Sequence, residues 1–289
     1  MSNTAEKTTD VIFRVRRFDP EKDAKPYYED FTVPCPPGLV VLDGLWYIKE
    51  HFDSSLAWRS SCRMGVCGSC GMLLNGKPHL ACHTQVREVA RNILMVAPLP
   101  NFDIVRDLVP DLAPMLDKHR ALKTTVRRAD TEEVLDPTDQ YWQSPEELTR
   151  YLQFAYCIKC GCCMAACPTL ATDPVYSGPM PLAQGYRYLT DSRDGSFQER
   201  AELLSGAEGP WRCHYAGECS AVCPKGVDPA RAIQLMKREL VLDYLKLSKR
   251  AKCEPARLVR PEDRSGPREG IPDAPEFTVE GATSPATES

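Results

Sequence analysis

Two runs of cysteines in the second half of this chain have the spacing of iron–sulfur ligands. Residues 157–168 follow the pattern C-x2-C-x2-C-x3-C-P, and residues 213–224 repeat it with Ala216 in place of the second cysteine. In paired runs of this kind, the fourth cysteine of each run binds the cluster of the other run. The first cluster is therefore predicted to be 4Fe–4S, with ligands Cys157, Cys160, Cys163 and Cys223. The second is predicted to be 3Fe–4S, with ligands Cys167, Cys213 and Cys219, because a corner without a thiolate does not readily keep its iron.

A third group of cysteines, in the first half, has the plant-type spacing C-x4-C-x2-C…C. This spacing is typical of a 2Fe–2S cluster, and the glycines of the loop let backbone N–H groups point at the sulfurs. A structural zinc site is the alternative for four cysteines, but a tight glycine loop is not zinc-ribbon spacing. The predicted 2Fe–2S ligands are Cys62, Cys67, Cys70 and Cys82.

The remaining cysteines are predicted to be free thiols without a role, namely Cys35, Cys162 and Cys253 of the fourteen in the chain. Cys162 could replace its neighbour Cys163 as a ligand, but the x2 spacing favours Cys163. Zinc fits the second half badly, since seven ligand cysteines do not divide into two sets of four. The cysteines are clustered and no export signal precedes them, which favours cluster ligation over disulfides.

Composition excludes several classes of protein. The chain has 289 residues, a length that suggests two domains, with 43% hydrophobic and 26% charged residues. A net charge of −4 gives no support for nucleic-acid binding. No apolar run approaches the roughly 18–20 residues that span a bilayer, so we expect a cytoplasmic chain whose link to a membrane runs through a partner. Without a dinucleotide-binding fingerprint, phosphate loop or triad, the sequence indicates an electron carrier that needs a partner at each end.

The pattern of apolar residues predicts an α+β arrangement. Strands are expected near 11–18, 31–33, 72–74, 77–80 and 93–97, with one covering helix over 42–52. Asn75-Gly76 is expected to form the two-residue hairpin turn between 72–74 and 77–80. Ser144 and Glu147 form a predicted capping box that begins a helix leading to the first cysteine run. Its apolar face is Leu148, Tyr151, Leu152 and Ala155. Asp228-Pro229 begins a last helix with the stripe Ile233, Met236, Leu240, Tyr244 and Leu247.

Polar residues beside the second run are candidates for a role in its chemistry. His214 follows a predicted ligand, where it is as well placed to supply a proton or hydrogen bond as to be structural. Arg212 and Lys225 flank predicted ligands. Two roles are open for each cationic side chain: it favours the reduced, more negative cluster, or it is simply solvated. The other histidines have no such context and are predicted to be structural: His51, His79, His83 and His119.

From about residue 11 to 250 the chain resembles the iron–sulfur subunits of the succinate dehydrogenase and fumarate reductase (respiratory complex II) family. The resemblance rests on 61–71, 99–109, 157–168, 186–194 and 213–226. It implies a flavoprotein subunit that holds FAD and the dicarboxylate site, a membrane anchor with haem b, and transfer of electrons through the three clusters to a quinone. In that family the residues matching Pro168 and His214 contribute to the quinone pocket. No tryptophan pair follows Pro168, which favours a menaquinone-type acceptor.

We accordingly expect a plant-type ferredoxin-like (β-grasp) domain over 1–105, a connector over 106–143, an all-α ferredoxin-like domain over 144–253 and a disordered tail over 254–289. The chain is expected to be peripheral, held on the cytoplasmic face of the membrane by anchor subunits. The direction of catalysis stays open. Two alternatives are an electron-transfer subunit of another flavoenzyme, of the glycolate-oxidase or heterodisulfide-reductase type, and a free-standing ferredoxin. Ala216 argues against the first, and the long connector and last helical stripe argue against the second.

Overall fold

The computed structural model describes residues 8–128 and 143–247, so the predicted tail and Cys253 lie outside the described residues. In chain order the strands are β1 (Thr9–Arg17), β2 (Tyr27–Cys35), β3 (Gly71–Leu74), β4 (Lys77–Leu80), β5 (Ile93–Ala97), β6 (Ile104–Arg106) and β7 (Val109–Pro110). In the first half the helices are α1 (Val41–His51), α2 (Val86–Val89) and α3 (Ala113–Ala121). In the second half they are α4 (Pro145–Thr149), α5 (Leu152–Ala155), α6 (Cys162–Ala165), α7 (Pro168–Thr172), α8 (Pro179–Leu189), α9 (Phe197–Ser205), α10 (Glu218–Ala221) and α11 (Pro229–Tyr244). The α+β class is confirmed, as an N-terminal sheet followed by a helical region.

The N-terminal sheet has the strand order β2-β1-β5-β3-β4. The central pair β1 and β5 is parallel, with Ile12 opposite Ile93, and the other pairings are antiparallel. Alternate residues of β1 point into a core that α1 closes from one side, as the period of two in the sequence requires. Gly44 permits this contact, because a Cβ at that position would lie 2.4 Å from the Phe13 ring.

The tight turn between β3 and β4 was predicted from Asn75-Gly76 and is confirmed. Both residues have positive φ, 45° and 83°, which is the backbone that a two-residue hairpin of this type requires. The Asn75 side chain also accepts a hydrogen bond from the Met95 N–H at 2.8 Å. At its open end the hairpin pairs Gly71 with Leu80. This pairing places the neighbouring Cys70 and Cys82 at the same end of the sheet.

A buried charged cluster closes the N-terminal region. The Arg17 guanidinium, 5% exposed, contacts Asp107 at 3.1 Å and both Glu29 and Asp53 at 2.6 Å. The Asp107 carboxylate also accepts hydrogen bonds at 3.0 Å from the backbone N–H groups of Phe18 and Ala57. The segment 104–110 is thus tied to β1, and removal of one charge from such a buried pair costs about 3–5 kcal/mol.

Part of the predicted connector is regular structure. Strands β6 and β7 form a two-stranded sheet, and α3 follows with Met115 buried against the helical region. Arg200, 1% exposed, bonds to the Thr125 carbonyl at 3.2 Å and to Asp194 at 2.6 Å. These contacts fasten the described part of the connector to the helical region.

The first helical segment after 143 differs from the prediction. The capping box is present, with the Glu147 N–H donating to Ser144 Oγ at 3.2 Å and the Ser144 N–H donating to the Glu147 carboxylate at 2.8 Å. The helix breaks at Tyr151, where φ is −128°, so α4 and α5 are separate and the buried residues are Tyr151 and Phe154. At the break, the Tyr151 hydroxyl donates to the Gln143 side chain at 2.6 Å.

The last helix begins where predicted, with the Asp228 carboxylate accepting from the Arg231 N–H at 3.0 Å. Three residues of its stripe, Ile233, Met236 and Leu240, are buried. The helix ends at Tyr244, which is 83% exposed, and Leu247 beyond it is 63% exposed. Within 8–128 and 143–247, no helix is both long and apolar enough to cross a bilayer.

Candidate functional site

The loop between α1 and β3 surrounds the sulfur of Cys62 with backbone N–H groups. Cys62 Sγ accepts hydrogen bonds from the N–H groups of Met64, Val66 and Cys67 at 3.5, 3.3 and 3.2 Å. These donors, Met64 first, lower the pKa of the Cys62 thiol to about 6. Hydrogen bonds to a sulfur favour its thiolate form, which is the form that binds iron.

Cys70 and Cys82 lie on the inner side of the same loop. The Gly65 N–H donates to Cys82 Sγ at 3.2 Å, and the Ala81 N–H donates to the Cys70 carbonyl at 3.1 Å. Both cysteines are buried, whereas Cys67 is exposed. Burial, with the neighbouring Cys82 as a further cause, raises the pKa of the Cys70 thiol to about 12. The loop thus has an exposed outer half and a buried inner half that faces the rest of the protein.

The two C-terminal runs have the same backbone conformation at corresponding positions. The third residue of each run, Lys159 and Tyr215, has positive φ (54° and 60°), and so does the fifth, Gly161 and Gly217 (83° and 80°). A one-turn helix follows at the same offset in each run, α6 in the first and α10 in the second. The two runs, which repeat one cysteine pattern in the sequence, therefore also repeat one backbone structure.

The first run encloses a small cavity whose wall includes a cysteine of the second run. Its lining cysteines are Cys157, Cys160, Cys163 and Cys223. Cys223 comes from the end of the second run, after α10, and its sulfur also accepts a hydrogen bond from the Val227 N–H at 3.4 Å. The structure therefore brings together the four cysteines that the crossed pattern predicts for one cluster.

The second run encloses a similar small cavity, and the lining cysteine from the first run is Cys167. Its other lining cysteines are Cys213 and Cys219, and Ala216 occupies the place that corresponds to Cys160. Of the four lining positions that correspond to ligands of the first cavity, three therefore carry a thiol and one carries a methyl group. Burial raises the pKa of Cys219, as of Cys157 in the first cavity, to about 11, so metal binding at either cavity must displace protons.

The cysteines surround space and do not converge on a point. Among residues 8–128 and 143–247, no group of three or more His, Cys, Asp or Glu side chains is arranged to hold a single metal ion. Thiols from both C-terminal runs line each cavity, and such a set of donors suits a cluster of several atoms. The donor set, thiols alone with backbone N–H groups nearby, fits iron–sulfur chemistry.

Cys162 does not line either cavity, although it is fully buried. It is the first residue of α6 and corresponds to Glu218, the first residue of α10, whereas Cys163 corresponds to Cys219. Cys35 is buried in the N-terminal core, where its sulfur donates to the Val33 carbonyl at 3.4 Å. Neither thiol lines one of the two cavities, and the absence of a ligand role for them stays a prediction.

The 2Fe–2S-type loop packs directly on the first run. A Cβ added at Gly68 would lie 2.8 Å from Cys160 Cβ, and one added at Gly71 would lie 3.0 Å from the Cys160 carbonyl. Asn101 strengthens the contact, since its side-chain amide donates to the carbonyls of Met164 at 2.9 Å and Cys167 at 3.3 Å. The first run therefore contacts the N-terminal loop and also shares both cavities with the second run.

Both residues predicted to contact quinone lie at the rim of the second cavity. Pro168 and His214 line it and are exposed. Arg212 does not face the cavity, because it forms an ion pair with Asp173. Lys225 is exposed at the rim of the first cavity. Sequence analysis missed Lys237, whose ammonium group donates to the Cys213 carbonyl at 3.0 Å.

Family models match both halves of the chain. A 2Fe–2S iron–sulfur cluster binding domain matches residues 12–117, and a 4Fe–4S dicluster domain matches residues 153–227. The chain is 43% identical over 236 residues to the fumarate reductase iron–sulfur subunit of Mycobacterium tuberculosis, covering 82% of this chain and 95% of the relative. It is 37% identical to the succinate dehydrogenase iron–sulfur subunit of Coxiella burnetii, covering 80% and 97%.

Among solved structures, the fold is similar to a chain of the Mycobacterium smegmatis Sdh1 complex in the apo form. The TM-score is 0.74 at 27% identity, and the match covers 82% of this chain and 98% of that one.

Proposed function

The chain belongs to the family of iron–sulfur subunits of succinate dehydrogenase and fumarate reductase, and from its geometry we propose the route by which it conducts electrons. It is the electron-transfer subunit of an oxidoreductase complex, and the catalytic flavoprotein is its partner. Bound 2Fe–2S, 4Fe–4S and 3Fe–4S clusters would supply one-electron steps between FAD on that partner and a quinone.

One observation carries the proposal: each C-terminal cavity is completed by the last cysteine of the other run. We assign Cys157, Cys160, Cys163 and Cys223 to a 4Fe–4S cluster because they line one cavity. We assign Cys167, Cys213 and Cys219 to a 3Fe–4S cluster because Ala216 leaves the fourth wall of the other cavity without a thiolate. Cys62, Cys67, Cys70 and Cys82 are assigned to the 2Fe–2S cluster of the N-terminal loop.

The exposed side of the N-terminal loop is the proposed contact with the flavoprotein. Met64 is 69% exposed and Val66 53% exposed, both between predicted ligands. Apolar residues of this kind on a loop with few other contacts are suited to burial by a partner chain. Electrons would enter here, and the Gly68–Cys160 contact leads them from this loop to the first run.

The rim of the second cavity is the proposed exit. His214 and Pro168 are exposed beside it and supply a hydrogen-bonding ring and an apolar surface for a quinone head group. Tyr215 and Trp211, 60% and 50% exposed, continue this surface. We propose that a membrane anchor with haem b covers it, which would hold the chain on the cytoplasmic face of the membrane, and that the acceptor is a menaquinone-type quinone.

The N-terminal region has the features of a β-grasp, plant-type ferredoxin-like domain. Its central strands β1 and β5 are parallel, and α1 crosses the mixed sheet. We propose this assignment for residues 1–105, and an all-α ferredoxin-like unit for residues 144–253 on the basis of the repeated runs α6 and α10.

Purification of the chain with its partners tests the proposed function. The complex should contain covalently or tightly bound flavin, haem b and about nine non-haem irons per copy of this chain, the content of the three cluster types. Low-temperature EPR should show a three-iron signal in the oxidised state. Two 4Fe–4S signals without a three-iron signal would instead favour the glycolate-oxidase or heterodisulfide-reductase type, and isolation of the chain without flavin or haem partners would favour a free-standing ferredoxin.

A further inference from the structure

A tyrosine that the sequence patterns did not single out lies in the wall of the second cavity. Tyr176 is 1% exposed and lines this cavity together with Cys167, Cys213 and Cys219. Its ring therefore shares the wall of this cavity with the Cys213 side chain. A buried hydroxyl needs a hydrogen-bond partner, and the cavity that Tyr176 lines offers sulfurs.

Several contacts fix the backbone that carries this ring. The Lys118 ammonium group donates to the carbonyls of Tyr176 at 2.7 Å and Pro174 at 2.5 Å. The Tyr176 N–H donates to the Asp173 carbonyl at 3.2 Å, and the Ser177 N–H donates to the Glu208 carbonyl at 2.9 Å. The hydroxyl is therefore held against the cavity before any cluster binds, and its orientation requires no rearrangement.

A tyrosine hydroxyl carries its proton at neutral pH and can donate to a sulfur, which is a weak acceptor. Burial, and next the nearby thiols of Cys213 and Cys167, raise the pKa of Tyr176 above its usual value. A donor to a cluster sulfur favours the reduced state, which carries more negative charge on the sulfurs. Among the described residues that line the two cavities, Tyr176 has no tyrosine counterpart in the first cavity.

We propose that Tyr176 is a positioning residue that raises the reduction potential of the cluster in the second cavity by donating a hydrogen bond to Cys213 Sγ. The proposal rests on the proposed 3Fe–4S cluster at this cavity. It adds a residue that tunes the last electron carrier without touching flavin or quinone. A higher potential at this end favours electron arrival from the first run.

The test is an EPR-monitored redox titration of the purified complex with Tyr176→Phe, which removes the hydroxyl and keeps the ring. At a fixed ambient potential near the midpoint, the oxidised-to-reduced ratio of the three-iron cluster should rise about tenfold, a fall in potential of about 59 mV for a one-electron couple. The matched control is Tyr186→Phe, since Tyr186 is buried edge-on to Phe154 at 5.2 Å and lines neither cavity. The control should leave the potential unchanged.

A three-iron signal whose potential is the same in Tyr176→Phe and wild type would overturn the inference and leave the proposed function intact. The absence of any three-iron signal from the wild-type complex would overturn the proposed function itself. If Tyr176→Phe loses the cluster, 3-fluorotyrosine placed at position 176 keeps the hydroxyl and makes it a stronger donor. The potential must then rise, and an unchanged or lower potential contradicts the proposal.

Discussion

The two cysteine runs share one backbone conformation and differ in a single ligand position and in their surroundings. Positive φ recurs at the third and fifth residues of each run, and a one-turn helix follows in both. Cys160 in the first run corresponds to Ala216 in the second. The fold of the runs therefore does not depend on a thiol at this position, whereas the set of ligands offered to a cluster does.

The surroundings differ as much as the ligands. The N-terminal loop covers Cys160, which is 9% exposed, and Gly68 allows this contact. Its counterpart Ala216 is exposed, as are His214 and Tyr215 beside it. In the proposed route, the covered run relays electrons within the chain and the uncovered run delivers them outside it. Predictions that separate the two runs test this difference.

The largest expected effect is loss of one cluster from the removal of a cysteine in the opposite run. Cys223→Ala should abolish the 4Fe–4S signal, and Cys167→Ala should abolish the three-iron signal, because each side chain lies in the cavity of the other run. Low-temperature EPR and iron analysis of the complex measure both. Each variant should lose most of its flavin-to-quinone electron transfer.

The matched control for these variants is Cys35→Ala, a buried thiol that lines neither cavity, and this variant should keep all clusters. If Cys223→Ala removed the three-iron signal and Cys167→Ala removed the 4Fe–4S signal, each last cysteine would serve its own run and the crossed assignment would be wrong.

A smaller effect is expected at the contact between the loop and the first run. Gly68→Ala forces a Cβ to 2.8 Å from Cys160 Cβ and 2.9 Å from Cys160 Cα. Overpacking costs about 1–3 kcal/mol, in addition to about 1–2 kcal/mol for an L-residue at the positive φ of 74°. Thermal unfolding should show the destabilisation, and EPR should show loss of the 4Fe–4S signal before the three-iron signal.

Gly76→Ala separates the clash from the cost of positive φ. Gly76 has φ of 83°, and an added Cβ there meets nothing within 4 Å. Its destabilisation should be limited to about 1–2 kcal/mol with both signals intact. Equal losses of stability in the two variants would show that the Gly68–Cys160 contact is not as tight as described.

The smallest effect is expected at the rim of the second cavity. His214→Ala should slow quinone reduction about tenfold, the size of one lost hydrogen bond of about 1.4 kcal/mol, and leave iron content and transfer from succinate to an artificial dye near normal. Stopped-flow or steady-state assays with a menaquinone analogue measure the change. His51→Ala, on the exposed side of α1, is the control and should alter neither activity. Equal slowing of both activities by His214→Ala would assign this histidine to structure.

Local patterns were sufficient to predict most of the elements. The alternation in β1, the Asn75-Gly76 turn and the caps at Ser144 and Asp228 each rest on neighbours in sequence, and the structure has all of them. The grouping of the cysteines also followed from spacing, since the crossed pattern places Cys223 with the first run.

Features that depend on distant contacts were not predicted. At the helix break, the Tyr151 hydroxyl bonds to the side chains of Gln143 and Arg193, and a helical period cannot reveal such distant partners. Tyr176 lies in the wall of the second cavity, and Lys118, from a segment predicted to be a connector, donates to its carbonyl. The burial of Arg17 depends on Asp107, which is ninety residues away in sequence. The sequence did offer one signal for that ion pair. Arg17 continues the alternate, otherwise apolar positions of β1 that point into the core.

Substitution of Ala216 tests the central claim most directly, because it changes the one ligand position at which the two runs differ. Ala216→Cys restores the complete C-x2-C-x2-C-x3-C-P pattern and supplies a thiol to the open wall of the second cavity. Ala216→Ser, with a similar side-chain size and no thiol, is the control. EPR of the oxidised complex should lose its three-iron signal in Ala216→Cys, the iron content should rise by about one per chain, and Ala216→Ser should resemble the wild type. An unchanged three-iron signal and iron content in Ala216→Cys would contradict the assignment of residue 216 as the missing corner.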